Sequence, residues 1–301
     1  MFQLKILSSW GPSIQTGLAT SLKSKIMKKN FTFENLQIAI PKRKSNSHKG
    51  LNGRVLVIAG SKGLGGAGIM ASEASLYSGA GLVTLHTHKS NVESSLIRNP
   101  EVMVLGISKF FPISENVNVI LYGPGMQNDE WSNKMQEHLH NLPKESNLII
   151  DAGGLQHLKD QNLIISNKTI LTPHPGEASN LLGIPISEIQ QNREKTARII
   201  SEKFNSSCVI LKGNKTVVYF KDKRETFVCE DGGPELSTGG TGDILCGVIG
   251  ALLAQGLSLY EAGLLSVAVH AKAGEIFADK NGGIGLNATA IIPIIRKLLN
   301  K

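Results

Sequence analysis

From Arg54 onward, short runs of apolar and β-branched residues alternate with longer stretches in which apolar positions recur every three or four residues. The short runs predict buried strands, and the long ones predict helices with one face on a core. Their alternation predicts an α/β architecture, a mostly parallel central sheet with helices packed against it. The expected strands are Arg54 to Ala59, Leu82 to Thr87, Val117 to Tyr122, Asn147 to Asp151, Thr169 to Leu171, Cys208 to Leu211 and Thr216 to Phe220. The expected helices are Ala67 to Ser78, Trp131 to Leu139, Pro175 to Leu182, Ile186 to Lys203, Thr241 to Gln255, Leu259 to Asp279 and Ala288 to Asn300. The last three helices follow one another, so the C-terminal third is predicted to be a helical layer. No repeat, low-complexity tract or Pro-rich linker marks a second domain, so the expected organisation is one domain over residues 42–301 behind a partly disordered extension, residues 1–41.

Composition narrows the function classes. The chain is 41% hydrophobic and 19% charged, with no apolar run long enough to cross a bilayer, so no membrane span is expected. A net charge of +8 raises nucleic acid as a partner. Five of the 32 basic residues (Lys5, Lys23, Lys25, Lys28 and Lys29) precede the first acid, Glu34, leaving 27 bases against 24 acids. That near balance, with few aromatics, argues against nucleic-acid binding. Cys208, Cys229 and Cys246 are odd in number and widely spaced, which suits a reducing, cytoplasmic setting rather than a disulfide framework. Residues 1–27 carry Lys and Ser without acids, like an organellar transit peptide, but lack Arg; a working start at Met27 is the favoured alternative.

Ligands of open α/β sheets bind beyond the carboxyl ends of the strands, so the segments that follow strands carry the candidate chemistry. The most informative is Leu236 to Gly256, in which Gly239, Gly240, Thr241 and Gly242 lead straight into an apolar helix. Backbone N–H groups of such a turn converge on an anion at a helix N-terminus. Asp243, in the first helical turn, is placed to take a proton from an attacking hydroxyl. The bland alternative is an Asp that only caps the helix. The string Gly-Gly-Thr-Gly-Asp lacks the Lys-Ser/Thr ending of a Walker A loop, which disfavours the P-loop class.

Thr172-Pro173-His174-Pro175-Gly176-Glu177 follows a strand, and its two prolines make a rigid loop from which the His174 ring projects; a histidine bonded only to nearby backbone is the competing reading. Lys212-Gly213-Asn214-Lys215-Thr216 is expected to be a hairpin turn with two cations near the sheet edge. Gly123-Pro124-Gly125 permits close ligand approach or is an ordinary tight turn. Asp151 is available to a metal or water near phosphates. The pairs His86/His88 and His138/His140 lack a completing ligand set and read as surface or satisfied histidines, and His270 as a core or interface one.

Taken in order, these segments resemble the ADP/ATP-dependent NAD(P)H-hydrate dehydratase family of the ribokinase-like superfamily. The likeness runs from about Lys42 to Leu299 through Ser47-His48-Lys49-Gly50, Gly53 to Ser61, Gly66-Ala67-Gly68, Ser78 to Val83, Asn99-Pro100-Glu101-Val102-Met103 and the segments above. Two departures stand out, Gln127 where members often carry glycine and Gly153 where many have a second Asp. The resemblance implies a ribokinase-like three-layer αβα sandwich and ADP-dependent dehydration of the S-epimer of hydrated NADH or NADPH, releasing AMP and phosphate. ATP is the alternative donor and magnesium the expected metal, its ligands unassigned. The resemblance places Ala67, Gly125, His174 and Asp243 on the substrate, with Asp243 as base. It places Lys212, Gly213, Asn214, Lys215, Thr216 and Gly242 on the nucleotide. It also implies a homo-oligomer, a tetramer, and an epimerase expected as a separate protein. Two rivals remain: a superfamily kinase of a small alcohol such as hydroxyethylthiazole, and a non-catalytic nucleotide sensor.

Overall fold

The computed structural model describes residues 28–164 and 168–301, so the extension read as a leader lies outside it up to residue 27. One ten-stranded sheet organises the molecule, in the order β1-β10-β9-β8-β7-β6-β5-β2-β3-β4. The strands are β1 (Lys28–Phe31), β2 (Arg54–Ile58), β3 (Leu82–His88), β4 (Met103–Ile107), β5 (Val119–Tyr122), β6 (Asn147–Ile150), β7 (Thr169–Leu171), β8 (Cys208–Leu211), β9 (Val217–Phe220) and β10 (Glu225–Cys229). Pairing is parallel from β4 across to β8; β8 with β9 and β9 with β10 are antiparallel, and β1 joins β10 in parallel.

Eleven α-helices fall among the described residues: α1 (Gly65–Tyr77), α2 (Val92–Arg98), α3 (Glu130–Met135), α4 (Glu137–His140), α5 (Gly153–Asp160), α6 (Pro175–Leu182), α7 (Ile186–Gln191), α8 (Arg193–Phe204), α9 (Thr241–Ala254), α10 (Leu259–Asn281) and α11 (Ile292–Leu299). Strands β5, β7 and β8 are buried at every position, as strands covered on both faces must be. Successive residues serve opposite faces. Val55, Val57, Leu121 and Ile149 join a core beneath α1, α9, α10 and α11, while Leu56, Ile58, Ile120 and Ile150 join one beneath α3, α5, α6 and α8. The result is the three-layer αβα sandwich. None of the described helices is long and apolar enough to cross a membrane.

Most expected elements stand within two residues of their predicted ends, and Thr169–Leu171, Cys208–Leu211 and Pro175–Leu182 coincide with them. Three expected helices are divided. The stretch from Ile186 breaks at Asn192, whose backbone leaves the helical region (φ −136°, ψ 48°) while its carbonyl accepts Thr196 N at 2.8 Å; asparagine favours such boundaries. Trp131 to Leu139 divides at Gln136, and the last helix opens as a 3-10 turn, Ala288–Ile291, before Pro293. Strands β1, β4 and β10 and helices α2 and α5 are additions to the expected set, short segments none longer than Gly153–Asp160.

Candidate active site

The carboxyl ends of β2, β5, β6, β7 and β8 converge on the N-terminus of α9. Gly240 caps that helix with φ +95°, a conformation glycine adopts without penalty, and no side chain occupies the amides of the first turn. The Thr241 hydroxyl donates to the carbonyls of Leu236 and Thr238, both at 3.0 Å, so it ties the turn and leaves the anion hole to backbone N–H groups. His270, from α10, holds the Thr241 carbonyl through Nε2 at 2.9 Å. Burial lowers its pKa to about 4, so it is neutral and Nε2 is the donor.

Beneath this turn lies a compact charge cluster. Lys212 Nζ donates to Asp151 Oδ1 at 2.6 Å and lies 3.8 Å from Glu177 Oε2. A Cβ built on Gly242 would stand 3.2 Å from Lys212 Nζ and 3.8 Å from Asp151 Oδ2, which puts the cation directly under the anion hole. The other Asp151 oxygen accepts from Cys246 Sγ at 3.4 Å. Asp243 caps nothing, contrary to the bland alternative. Burial first, then the nearby Asp151 charge, raises its carboxyl to a pKa of about 7, with Glu177 adding to the rise and Lys212 opposing it. Burial likewise raises Glu177, with Asp151 adding and Lys212 opposing. Lys212 is held above its ordinary range by Asp151 and Glu177 despite burial. Asp151 thus has Lys212 as its partner, and the expectation of a cation at the sheet edge is corrected. Lys212 follows β8, three strands in from β1, and its side chain is only 17% exposed.

A second wall is built on α1. Gly240 sits against the Met70 thioether, while a Cβ on Gly125 would meet Ala67 Cβ at 2.9 Å and Leu64 O at 2.7 Å. Ala67 and Met70 are one turn apart, so this helix joins the glycine turn to the Gly123–Gly125 loop. Gly125 has φ +63°, and its carbonyl accepts Ser61 N at 2.9 Å. Gln127, the residue at one departure from the resemblance, donates its backbone N–H to Ser61 Oγ at 3.2 Å and so keeps the loop tied to β2. Ala152 takes a strained backbone, φ 48° and ψ −124°, between Asp151 and α5.

His174 combines both readings offered for it. Its Nδ1 accepts from Gly176 N (3.0 Å) and Glu177 N (3.3 Å), and Glu177 returns a bond from the His174 N–H at 2.7 Å, a capping box on α6. The ring remains exposed on its far side, within the loop that carries Glu177 to Lys212. The Lys212–Thr216 hairpin is present as expected. Gly213 packs on the Arg193 guanidinium, which donates to Leu211 O at 2.9 Å; nothing in the sequence singled out Arg193. Asn214, Lys215 and Thr216 stand outside the charge cluster, and Lys215 pairs with Glu230 at 2.9 Å. Of the other histidines, His138 is satisfied by Met135 O and Phe111 N, whereas buried His86 leaves Nδ1 without a partner.

No three metal-ligating side chains cluster among the described residues. Asp151 is engaged by Lys212 and Cys246. Glu177 accepts from the His174 N–H, so the donor set suits a magnesium ion carried by nucleotide phosphates and water rather than a cage of side chains.

The family model described as NAD(P)H-hydrate dehydratase matches residues 55–297. The bifunctional NAD(P)H-hydrate repair enzyme of Coxiella burnetii is 40% identical over 269 residues, covering 87% of this chain and 53% of that protein. The chain spans about half the length of such bifunctional relatives. The ADP-dependent (S)-NAD(P)H-hydrate dehydratase of Staphylococcus aureus is 37% identical over 257 residues, 82% of this chain and 90% of that one. Among solved structures, the Bacillus subtilis ADP/ATP-dependent NAD(P)H-hydrate dehydratase co-crystallised with ATP and Mg2+ superposes with a TM-score of 0.80 at 28% identity, covering 90% of this chain and 98% of that one. The architecture is the ribokinase-like one.

Proposed function

The chain belongs to the NAD(P)H-hydrate dehydratase family, and we propose that it dehydrates the S-epimer of hydrated NADH and NADPH at the expense of ADP. The observation that carries this reading is Asp243, whose carboxyl has a pKa near 7 beside the amide-lined N-terminus of α9. A carboxylate that titrates at working pH beside an anion hole suits general-base chemistry on a hydroxyl next to a phosphate. Asp243 takes the proton of the ring hydroxyl as its oxygen bonds to the β-phosphorus of ADP and the bond to AMP breaks. The phosphate ester then departs with its C–O electron pair, and a proton lost from the neighbouring carbon restores the ring double bond. NAD(P)H, AMP and phosphate result.

The chain's own groups divide the work. The amides of Gly239 to Gly242 receive phosphate oxygens, and Lys212 beneath them offsets the charge that gathers there. The Gly213–Thr216 hairpin borders the nucleotide, with Arg193 fixing its shape. Ala67, Gly125 and the exposed side of the His174 ring bound the nicotinamide. Magnesium supplies charge neutralisation when it arrives with the nucleotide. Within this reading the working form is an assembly of copies.

The test is absorbance at 340 nm after mixing protein, NADHX and magnesium with ADP or ATP in parallel, with Asp243→Ala as control. A rise with wild type alone, faster with ADP, is the expected result. Silence with both donors would sink the proposal.

A further inference from the structure

Asp151 is 2% exposed, and both of its carboxylate oxygens are in use. Lys212 Nζ takes Oδ1 at 2.6 Å, and the donor that reaches Oδ2 among the described residues is the thiol of Cys246, at 3.4 Å. A carboxylate only accepts, so the direction of this bond is fixed and the S–H points at Asp151. Burial, and after it the Asp151 charge, hold the thiol well above its ordinary pKa, so it keeps that proton. The same sulfur lies 3.5 Å from Thr172 Oγ1, which also donates to Ile150 O at 3.3 Å. With the thiol proton committed to Asp151, the Thr172 hydroxyl is the donor in that contact, shared between Ile150 O and Sγ.

Cys246 is fully buried on α9, three residues after Asp243 and four after Gly242, so all three belong to one face of the helix. That face meets the charge cluster, since a Cβ on Gly242 would touch both Lys212 and Asp151. Asp151 follows β6 and Thr172 follows its neighbour β7, so the sulfur hooks α9 to the ends of two adjacent strands. An apolar side chain could fill the same space, as Ile244, Val248 and Ile249 do elsewhere on this helix. What the thiol adds is a proton for a buried carboxylate oxygen that would otherwise have none.

We infer, on the ADP-dependent reading above, that Cys246 is a positioning residue for the phosphate site: its S–H fixes the Asp151 carboxylate in the orientation that holds Lys212 under the glycine turn. Without that donor the carboxylate turns to find a second partner, and Lys212 moves with it, away from the amides of Gly239 to Gly242. The Asp151 charge, no longer shared with the thiol, then bears more heavily on Asp243. The other charged groups facing Asp243 are Lys212 beyond β8 and Glu177 on α6, while His270 on α10 is neutral and engaged with Thr241 O.

Three variants separate the thiol proton from the thiol volume. Cys246→Ser keeps a donor, Cys246→Val keeps bulk without a donor, and Cys246→Ala keeps neither. ADP binding in the presence of magnesium, read by calorimetry without turnover, is expected to weaken about tenfold in the Val and Ala variants and to stay within about threefold of wild type in Cys246→Ser. The acid limb of the pH–rate profile for the hydrate should move upward in the same two variants and stay in place in Cys246→Ser. A ranking by size, with Cys246→Val like wild type and Cys246→Ser like Cys246→Ala, overturns the positioning role, as does unaltered ADP binding in all three. Infrared spectroscopy reads the hydrogen bond itself. The S–H band lost in Cys246→Ser should lie at lower frequency than the bands of Cys208 and Cys229, because its acceptor is a carboxylate. A band at or above theirs overturns the inference whether or not the protein dehydrates the hydrate, whereas a low band in a protein silent with the hydrate would count against the dehydratase reading alone.

Discussion

At the residue scale the charge cluster makes opposed predictions. A carboxyl raised to about 7 serves as a base only when ionised, so turnover rises with pH through about 7. Asp151 raises that value and Lys212 lowers it. Asp151→Asn therefore moves the acid limb of the pH–rate profile downward, and Lys212→Met moves it upward. Limbs that moved together would refute the coupling. Both variants lose stability, because each leaves a buried partner uncompensated, at a cost of ~3 kcal/mol. Asp243→Asn behaves differently. A carboxyl whose folded pKa exceeds its unfolded one stabilises the fold below the unfolded value, and that contribution is lost as pH rises through 7. The variant should lose turnover by about a thousandfold yet unfold later than wild type at pH 8, by ~2 kcal/mol after allowing for partial exposure. The difference should shrink towards pH 4, as thermal melts across that range would show. His174 separates fold from function: His174→Asn keeps a cap on α6 and raises KM for the hydrate, whereas His174→Ala also loses ~1 kcal/mol of stability. Equal melting temperatures for the two would remove the capping role.

At the scale of elements, α9 places Asp243 by how closely it approaches α1. A Cβ on Gly247 would overlap Ala71 O, and Ser75 Oγ donates to Gly247 O at 3.1 Å. Gly247→Ala should therefore push the helices apart, cost ~2 kcal/mol and lower kcat more than it raises KM; an unchanged kcat would mean that the helix N-terminus does not depend on this packing. The glycine turn, the apolar run of α9 and the strands around Asp151 and Lys212 were legible because each is a local pattern, either continuous burial or a string needing special backbone. The pairing of Lys212 with Asp151 was not, since 61 residues separate them and only the parallel order of β6, β7 and β8 brings them together. Arg193 was hidden likewise, as what ties it to the site is its donation to the backbone carbonyls of Leu211 and Lys212, which leave no mark in a sequence. Strand β1 escaped notice because its four residues include two lysines, which suit an edge but carry no strand pattern.

For the whole molecule, that overlooked strand decides where the fold must begin. Phe31 is buried edge-on against Phe227, Lys29 pairs with Glu225 at 2.8 Å, and Phe33 N donates to Asp231 Oδ2 at 2.5 Å. Phe33, Leu36, Ile38 and Ile40 then pack on the core beneath α10 and α11. A chain shortened to start at residue 27 keeps all of these contacts and should melt with the full-length protein. One shortened to start at residue 42 loses them and bares the edge of β10. Burial of one large apolar side chain is worth ~2 kcal/mol, so the loss here is ~5 kcal/mol or more, and the melting temperature should fall by at least ~10 °C. The effect reaches the site, because β10 runs through Asp231 and the 3-10 turn Pro234–Leu236 into the glycine turn at Gly239. With Phe33 gone, Asp231 loses a partner, and the turn that receives phosphate is less firmly held. KM for the nucleotide should rise in the shorter chain while the pH limb, set by groups on β6, β8 and α9, stays near 7. Calorimetry and a nucleotide titration at two pH values check both halves, and equal melting temperatures for the two chains would show that β1 is an ornament on the sheet rather than its closing strand.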